Sequence, residues 1–375
     1  MKNESSVKVL YLLIEKRVRP ARFIEIYRKN SGNINKTLNY FYQYSQLKIE
    51  SQEVKKHFST SGSSCYKEAV SFILENKVGL LDIGQGSYPD ILRQIYCPPP
   101  LLFFRGDKIK SADFCVAVVG SRKCSAYGRD AAEYIGRNLS GIGITVVSGL
   151  AVGIDSYAQK AALTEKGGSI GVLGCGIDIV YPPENRDLYQ NIQENGSIIT
   201  EFLPKTPPLK SNFPVRNRII SGLCRGVVVI EAGDRSGAII TSEMALKQNR
   251  EVFAVPGSIF SPMSSGCHKL IKSGAKLITG IDDILEEFSD YQKQTLNMSN
   301  KSRHDKTRKD DGSISKKLTS DESRVYEFIG FRPKSIEEIV KYSGLEVSST
   351  LRVLTSLEIK RLIKEDCFNK YSRLF

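Results

Sequence analysis

Four short stretches of the chain carry residues suited to holding a run of phosphates. The first is Gly120-Ser121-Arg122-Lys123, a glycine turn with two adjacent cations. The second is Ser148-Gly149, which opens the loop Ser148-Gly149-Leu150-Ala151-Val152-Gly153. The third carries Arg186 just after Tyr181-Pro182, and the fourth places Arg216-Asn217-Arg218 shortly after Phe213. Cationic side chains and the backbone N–H groups of glycine turns bind phosphate oxygens without reading a base. Spaced along one surface they can follow a phosphodiester strand of any sequence, and Tyr181, Pro182 and Phe213 offer faces on which bases stack. Each residue alone would be an ordinary surface cation or core aromatic. What sets them apart is recurrence at equivalent places in the chain.

Those places are set by the elements around them. The run Cys115-Val116-Ala117-Val118-Val119 precedes the first turn and Ile144-Thr145-Val146-Val147 the second, with helical sequence from Gly128 and from Ile154. Short β-branched runs bounded by glycine suit strands buried on both faces. Further runs at 170–173, 197–200, 227–231, 251–255 and 275–278 bring the count to about seven strands, nearly all parallel. The fold class is therefore α/β, with the loops on one rim at the carboxyl ends of the strands, where ligands sit. Each loop also leads into a helix N-terminus, whose free N–H groups and positive dipole end favour anions. Asp155 is read as tying its helix, not as an acid or base.

Composition narrows the partners. A chain of 375 residues predicts two or three domains, and its net charge of +13 favours an anionic partner. No apolar run reaches the roughly 18 residues that span a bilayer. The N-terminus has no signal-peptide pattern, so a cytoplasmic protein with no membrane partner is expected. Eight dispersed cysteines without a Cys-x-x-Cys pair and three scattered histidines predict reduced thiols, no metal centre and no cofactor.

Four regions are expected. Residues 1–75 read as a helical domain, basic at Lys16, Arg17, Arg19, Arg22, Arg28 and Lys29, suited to DNA or to packing alone, with a loop at 50–64. The core runs over 76–288, entered by a helix start at Ser87-Tyr88-Pro89-Asp90 and a short strand at 101–104. Residues 289–318 are a flexible basic linker, carrying for example Lys301, Arg303 and Arg308. Residues 319–375 read as three helices and a hairpin, a winged helix, which can bind DNA or protein.

Competing chemistries for the core are separable. The Gly-x-Gly-x-x-Gly of dinucleotide enzymes and the Gly-x4-Gly-Lys-Ser/Thr of P-loop ATPases are both absent. A nucleotide-cleaving enzyme of the phosphoribohydrolase type is the alternative. The stretch from Gly233 through Ser236, Thr241 and Ser242 to Glu243 offers a glycine turn, hydroxyls and an acid at a helix start, though capping would use the same residues. Release of free base from a nucleoside monophosphate would distinguish it.

Taken together, Val119-Gly120-Ser121-Arg122, Val147-Ser148-Gly149-Leu150-Ala151-Val152-Gly153-Ile154-Asp155, Gly174-Cys175-Gly176-Ile177-Asp178 and Tyr181-Pro182 resemble the DNA-processing protein A family (DprA, also called Smf). So do Phe213-Pro214-Val215-Arg216-Asn217-Arg218-Ile219-Ile220-Ser221-Gly222-Leu223, Ser236-Gly237 and Val255-Pro256-Gly257-Ser258, and the likeness covers about residues 85–288. The resemblance implies an extended Rossmann-like core, flanked by a SAM-like helical domain and a winged helix. It implies binding of single-stranded DNA without sequence preference or nucleotide hydrolysis, homodimerisation, and protection of incoming DNA while RecA recombinase is loaded during natural transformation. By motif position the family's loop arginine falls on Arg122 and its later basic position on Arg186. The self-association segment falls on 267–277, with His268, Leu270 and Leu277. Two positions depart from the family pattern: Val152 stands where a basic or polar residue is usual, and Gln159 where a histidine is.

Overall fold

A computed structural model describes residues 4–44, 64–107, 109, 114–234, 236–288, 318–329, 334–360, 362–366 and 370–373. Of the expected features, the loop at 50–63 and the linker lysines and arginines of 289–317 lie outside these residues. The chain divides into two compact units, Met1–Thr295 and Leu296–Phe375.

Alternation along the strands builds the first unit. In β3 (Cys115–Val119) and β7 (Gly226–Val229) successive side chains enter opposite cores. Ala117, Val119, Val227 and Val229 join one apolar cluster, while Val116, Val118 and Val228 join the other. Both faces must then be covered by helices, so the unit has three layers. Among the described residues the sheet has nine strands in the order β1-β2-β6-β5-β4-β3-β7-β8-β9. The remaining strands are β1 (Gly79–Asp82), β2 (Leu101–Arg105), β4 (Thr145–Ser148), β5 (Ser169–Val172), β6 (Ser197–Thr200), β8 (Glu251–Ala254) and β9 (Lys276–Leu277). From β6 to β9 every pairing is parallel, which makes seven parallel strands. β2 runs antiparallel to both β6 and β1 at one edge.

Among the described residues four helices precede β1: α1 (Glu4–Ile14), α2 (Pro20–Lys29), α3 (Ile34–Tyr44) and α4 (Ser64–Glu75). Their described residues pack into the core of the sheet. Val9, Leu10, Phe23 and Tyr66 belong to the same cluster as Leu81 and Phe103 of the sheet. Polar ties reinforce this, because the buried Asp82 carboxylate accepts from the Ser5 and Ser6 hydroxyls at 2.8 and 2.7 Å. The short α5 (Asp90–Arg93) begins where expected, after Pro89.

The sheet order has one switch point. The chain builds outward from β3 through β4 and β5 to β6, then returns to place β7 on the other side of β3. The connecting helices are α6 (Ala126–Gly141), α7 (Ile154–Leu163), α8 (Arg186–Asn195) and α9 (Asn212–Leu223). Helices α10 (Gly237–Lys247), α11 (Ser265–Lys272) and α12 (Ile281–Glu286) follow β7, β8 and β9. α6 and α7 approach closely at Gly136, where a Cβ would lie 2.4 Å from the Ala158 carbonyl oxygen.

The second unit is a winged helix. It comprises α13 (Ser320–Phe328), α14 (Ile336–Ser343) and α15 (Val347–Ile359), with β10 (Lys334–Ser335), β11 (Ile363–Asp366) and β12 (Lys370–Arg373) in the order β10-β12-β11. Val325, Ile339, Leu354, Leu357 and Ile363 form its core. Capping boxes start two helices, Thr319 with Glu322 and Ser335 with Glu338. The buried Glu322 also accepts from Lys360 Nζ at 2.7 Å, which ties the start of α13 to the end of α15.

Candidate nucleic-acid interface

The loops after β3, β4 and β5 are bonded into one rim. Ile154 N donates to Ser121 O at 3.2 Å, joining the second loop to the first. Asn185 Nδ2 donates to Leu150 O at 2.8 Å, joining the third to the second. Leu150 has φ of 56°, a strained value for a residue with a Cβ. It is held there from both sides, since its N–H donates to Gln159 Oε1 at 3.1 Å. Gln159 is buried and its amide donates onward to Ser169 and Ile170, so this departure from the family pattern is built into the loop's support. Val152 is half-buried in the same loop.

Arg122, Lys123 and Arg186 stand exposed on this rim, and none of them makes an ion pair among the described residues. The Arg122 guanidinium lies 5.5 Å from the centre of the Phe213 ring. That ring is 5.6 Å from Tyr181, tilted by 36°. Tyr181 is 36% exposed, and Arg186 follows five residues later at the start of α8. The rim thus presents a cation, two aromatic faces and a second cation drawn from three separate loops. A cation this close to a ring is attracted to its face, which helps to hold Arg122 in place.

Several expected site residues lie elsewhere. Arg216 is only 5% exposed, and its Nη1 donates to Gly149 O at 2.8 Å and to Val172 O. Burial pushes its pKa down to about 10, against the opposing pull of Asp155, so it stays charged at neutral pH but is withdrawn from solvent. Arg218 is taken by Glu201 at 2.5 Å in a nearly buried ion pair. Asn217 is buried and accepts from Arg216 Nε at 3.2 Å. The buried Ser148 hydroxyl donates to Val118 O at 2.6 Å. Gly149 is buried as well, and its lack of a Cβ makes room for the Arg216 guanidinium, 2.6 Å from where that atom would be. Gly120 and Ser121 shape the first loop: Ser121 N donates to Glu231 O at 2.7 Å, and a Cβ on Gly120 would strike Ile154 at 2.6 Å.

The start of α6 is not free for an anion either. Glu231, 3% exposed, accepts from both the backbone N and the hydroxyl of Ser125, the N-cap of α6. Asp155 in the first turn of α7 accepts from Gly149 N at 3.0 Å, as its tying role predicts, and burial holds its pKa above the ordinary range. An acid ending the strand run Val227-Val228-Val229-Ile230-Glu231 was the one sequence signal for Glu231. Sequence reasoning missed it.

The stretch proposed for nucleotide cleavage is spent on helix geometry. Ser236 caps α10, the Thr241 and Ser242 hydroxyls donate to carbonyls of that helix, and Glu243 points to solvent. Among the described residues no cluster of His, Cys, Asp and Glu could hold a metal, and no helix is long and apolar enough to cross a membrane. In the expected self-association segment, Leu270 is 8% exposed and packs into the core. His268 Nε2 lies 3.1 Å from Gly257 O, while Leu277 on the edge strand β9 is 45% exposed.

Comparison with known proteins matches this architecture. The family described as DNA recombination-mediator protein A matches residues 79–289, and the DprA winged helix domain matches 312–366. The DNA processing protein DprA of Streptococcus pneumoniae is 48% identical over 203 residues, 54% of this chain and 71% of that one. Its counterpart in Bacillus subtilis is 41% identical over 221 residues, 59% of this chain and 74% of that one. The X-ray structure of DprA from Streptococcus pneumoniae superposes with a TM-score of 0.60 at 36% identity, covering 76% of this chain and 99% of that one. The DprA of Helicobacter pylori, described for its single-stranded-DNA binding mode, gives 0.52 at 28% identity, covering 57% and 96%.

Proposed function

The chain belongs to the DprA/Smf family of DNA-processing proteins, and from that premise we propose that it binds single-stranded DNA without sequence preference and without catalysis. Arg122, Lys123 and Arg186 take successive phosphates, and Tyr181 with Phe213 gives a base a face to stack on. No contact in this scheme needs a base edge, so the grip is indifferent to sequence. The observation that carries it is the line of exposed Arg122, half-buried Phe213, exposed Tyr181 and exposed Arg186. The description of the Helicobacter pylori relative supports the same ligand.

In this reading the protein works in the cytoplasm, protects single strands and loads RecA onto them, as a homodimer whose contact includes the edge strand β9 and Leu277. The test is Arg122→Glu. The side chain is exposed, so the fold should survive. Affinity for oligo-dT should fall at least tenfold in an anisotropy titration, and wild-type affinity would count against the rim as the site.

A further inference from the structure

Two large apolar side chains stand in solvent beside the first loop. Past β8, Ser261 N donates to Ser258 O at 3.0 Å and Phe260 N to Ser258 Oγ at 3.2 Å, which closes a tight turn. Ile259 and Phe260 form its tip, 81% and 90% exposed. Turn tips favour Gly, Pro, Asn, Asp and Ser, and an exposed Phe forgoes the gain from burial. Neither residue therefore serves the turn or the core.

The turn is held firmly and in a particular place. Tyr127 Oη donates to Pro256 O at 2.7 Å, and Met263 N donates to Ser261 Oγ at 3.3 Å. Because β8 runs parallel to β7 and β3, the turn lies at the same ends of the strands as Arg122. The two loops touch, with the Ser121 hydroxyl 3.5 Å from Met263 Sδ. Charge also suits a polyanion here. No Asp or Glu occurs between Glu251 and Asp282, nor between Asp113 and Asp130. Arg122 and Lys123 stand exposed in the second of these stretches, and Asp234 on the intervening loop is paired with Lys269 at 2.9 Å.

Building on the single-strand reading above, we propose that Phe260, with Ile259 beside it, is a second stacking platform for a base of the strand held by Arg122 and Lys123. It extends the track across β7 and β8, to the side opposite Tyr181 and Phe213. The partner is a single-stranded nucleic acid, recognised by the flat face of its bases.

The chain contains no tryptophan, so Phe260→Trp is a lone fluorescent reporter. Oligo-dT should quench it, while an abasic strand of equal length should bind without quenching. Phe260→Ala should weaken oligo-dT binding about tenfold, within the range for losing one stacked base, and leave the abasic strand's affinity unchanged. Wild-type affinity of Phe260→Ala for oligo-dT, or Trp emission unmoved at saturating DNA, overturns the proposal. So does a DNA-free emission shift with protein concentration, which would assign the turn to a contact between two copies of the chain. Arg122→Glu is the control. If it loses binding while Phe260→Ala does not, only the platform fails; if both bind as wild type, the rim reading fails with it.

Discussion

The number of exposed cations on the rim sets how steeply binding should weaken with salt. On a single strand each neutralised phosphate contributes about 0.7 to the slope of log affinity against log salt. Arg122, Lys123 and Arg186 are exposed, whereas Arg216 is buried and Arg218 is paired with Glu201. Three contacts give the rim a share of about 2 in the slope, where five would give about 3.5. Cations elsewhere in this basic chain add to the total, so the informative quantity is the difference between variants. Alanine at 122, 123 or 186 should each flatten the slope by about 0.7, and the triple variant by about 2. Arg218→Gln should leave it unchanged. Labelled oligo-dT followed by anisotropy across a salt series measures this directly. A triple variant with the wild-type slope, or an Arg218→Gln slope flattened by a full contact, would refute the assignment.

Two further predictions concern the buried charges. Arg216→Met removes a cation that attracts the Asp155 carboxylate and takes a donor from the Gly149 and Val172 carbonyls, which should cost about 1–3 kcal/mol in a urea titration. Asp155 already sits above its ordinary 3.8, so its contribution is largest below that pH and is lost as pH rises through its folded-state value. The variant should therefore lose more stability near neutrality than in mild acid, and a pH-independent loss would contradict the account. In the winged helix, Lys360, the Ser356 hydroxyl and the Thr319 N–H hold Glu322 at about 2, below its ordinary 4.5. The stability this gives is present above 4.5 and is lost as pH falls toward 2. Glu322→Gln should abolish that acid-side loss, and parallel profiles for variant and wild type would sink the assignment.

The parallel sheet was legible because strands buried on both faces leave nothing but apolar, β-branched runs. β1 escaped notice because Gly79-Leu80-Leu81-Asp82 is short and ends in an acid, and that acid is the hub that ties α1 to the sheet. Within the site, sequence located the loops but not the depth of each arginine. Arg216 and Arg218 lie two residues apart on one helix and so face opposite ways, and the space left at Gly149 receives the Arg216 guanidinium. Glycine in that loop suggested a phosphate seat, whereas it serves to admit a side chain from α9. The aromatic line from Phe213 to Tyr181 joins residues more than thirty positions apart, and no local pattern reports such a meeting.

Glu231, lodged against the start of α6, has a consequence for what the protein ignores. An isolated nucleotide or inorganic phosphate finds that berth already filled by the chain's own carboxylate. Retention must then accumulate from several weak grips along a polymer, each raising the effective concentration of the next. On the single-strand reading, residence should climb steeply with strand length.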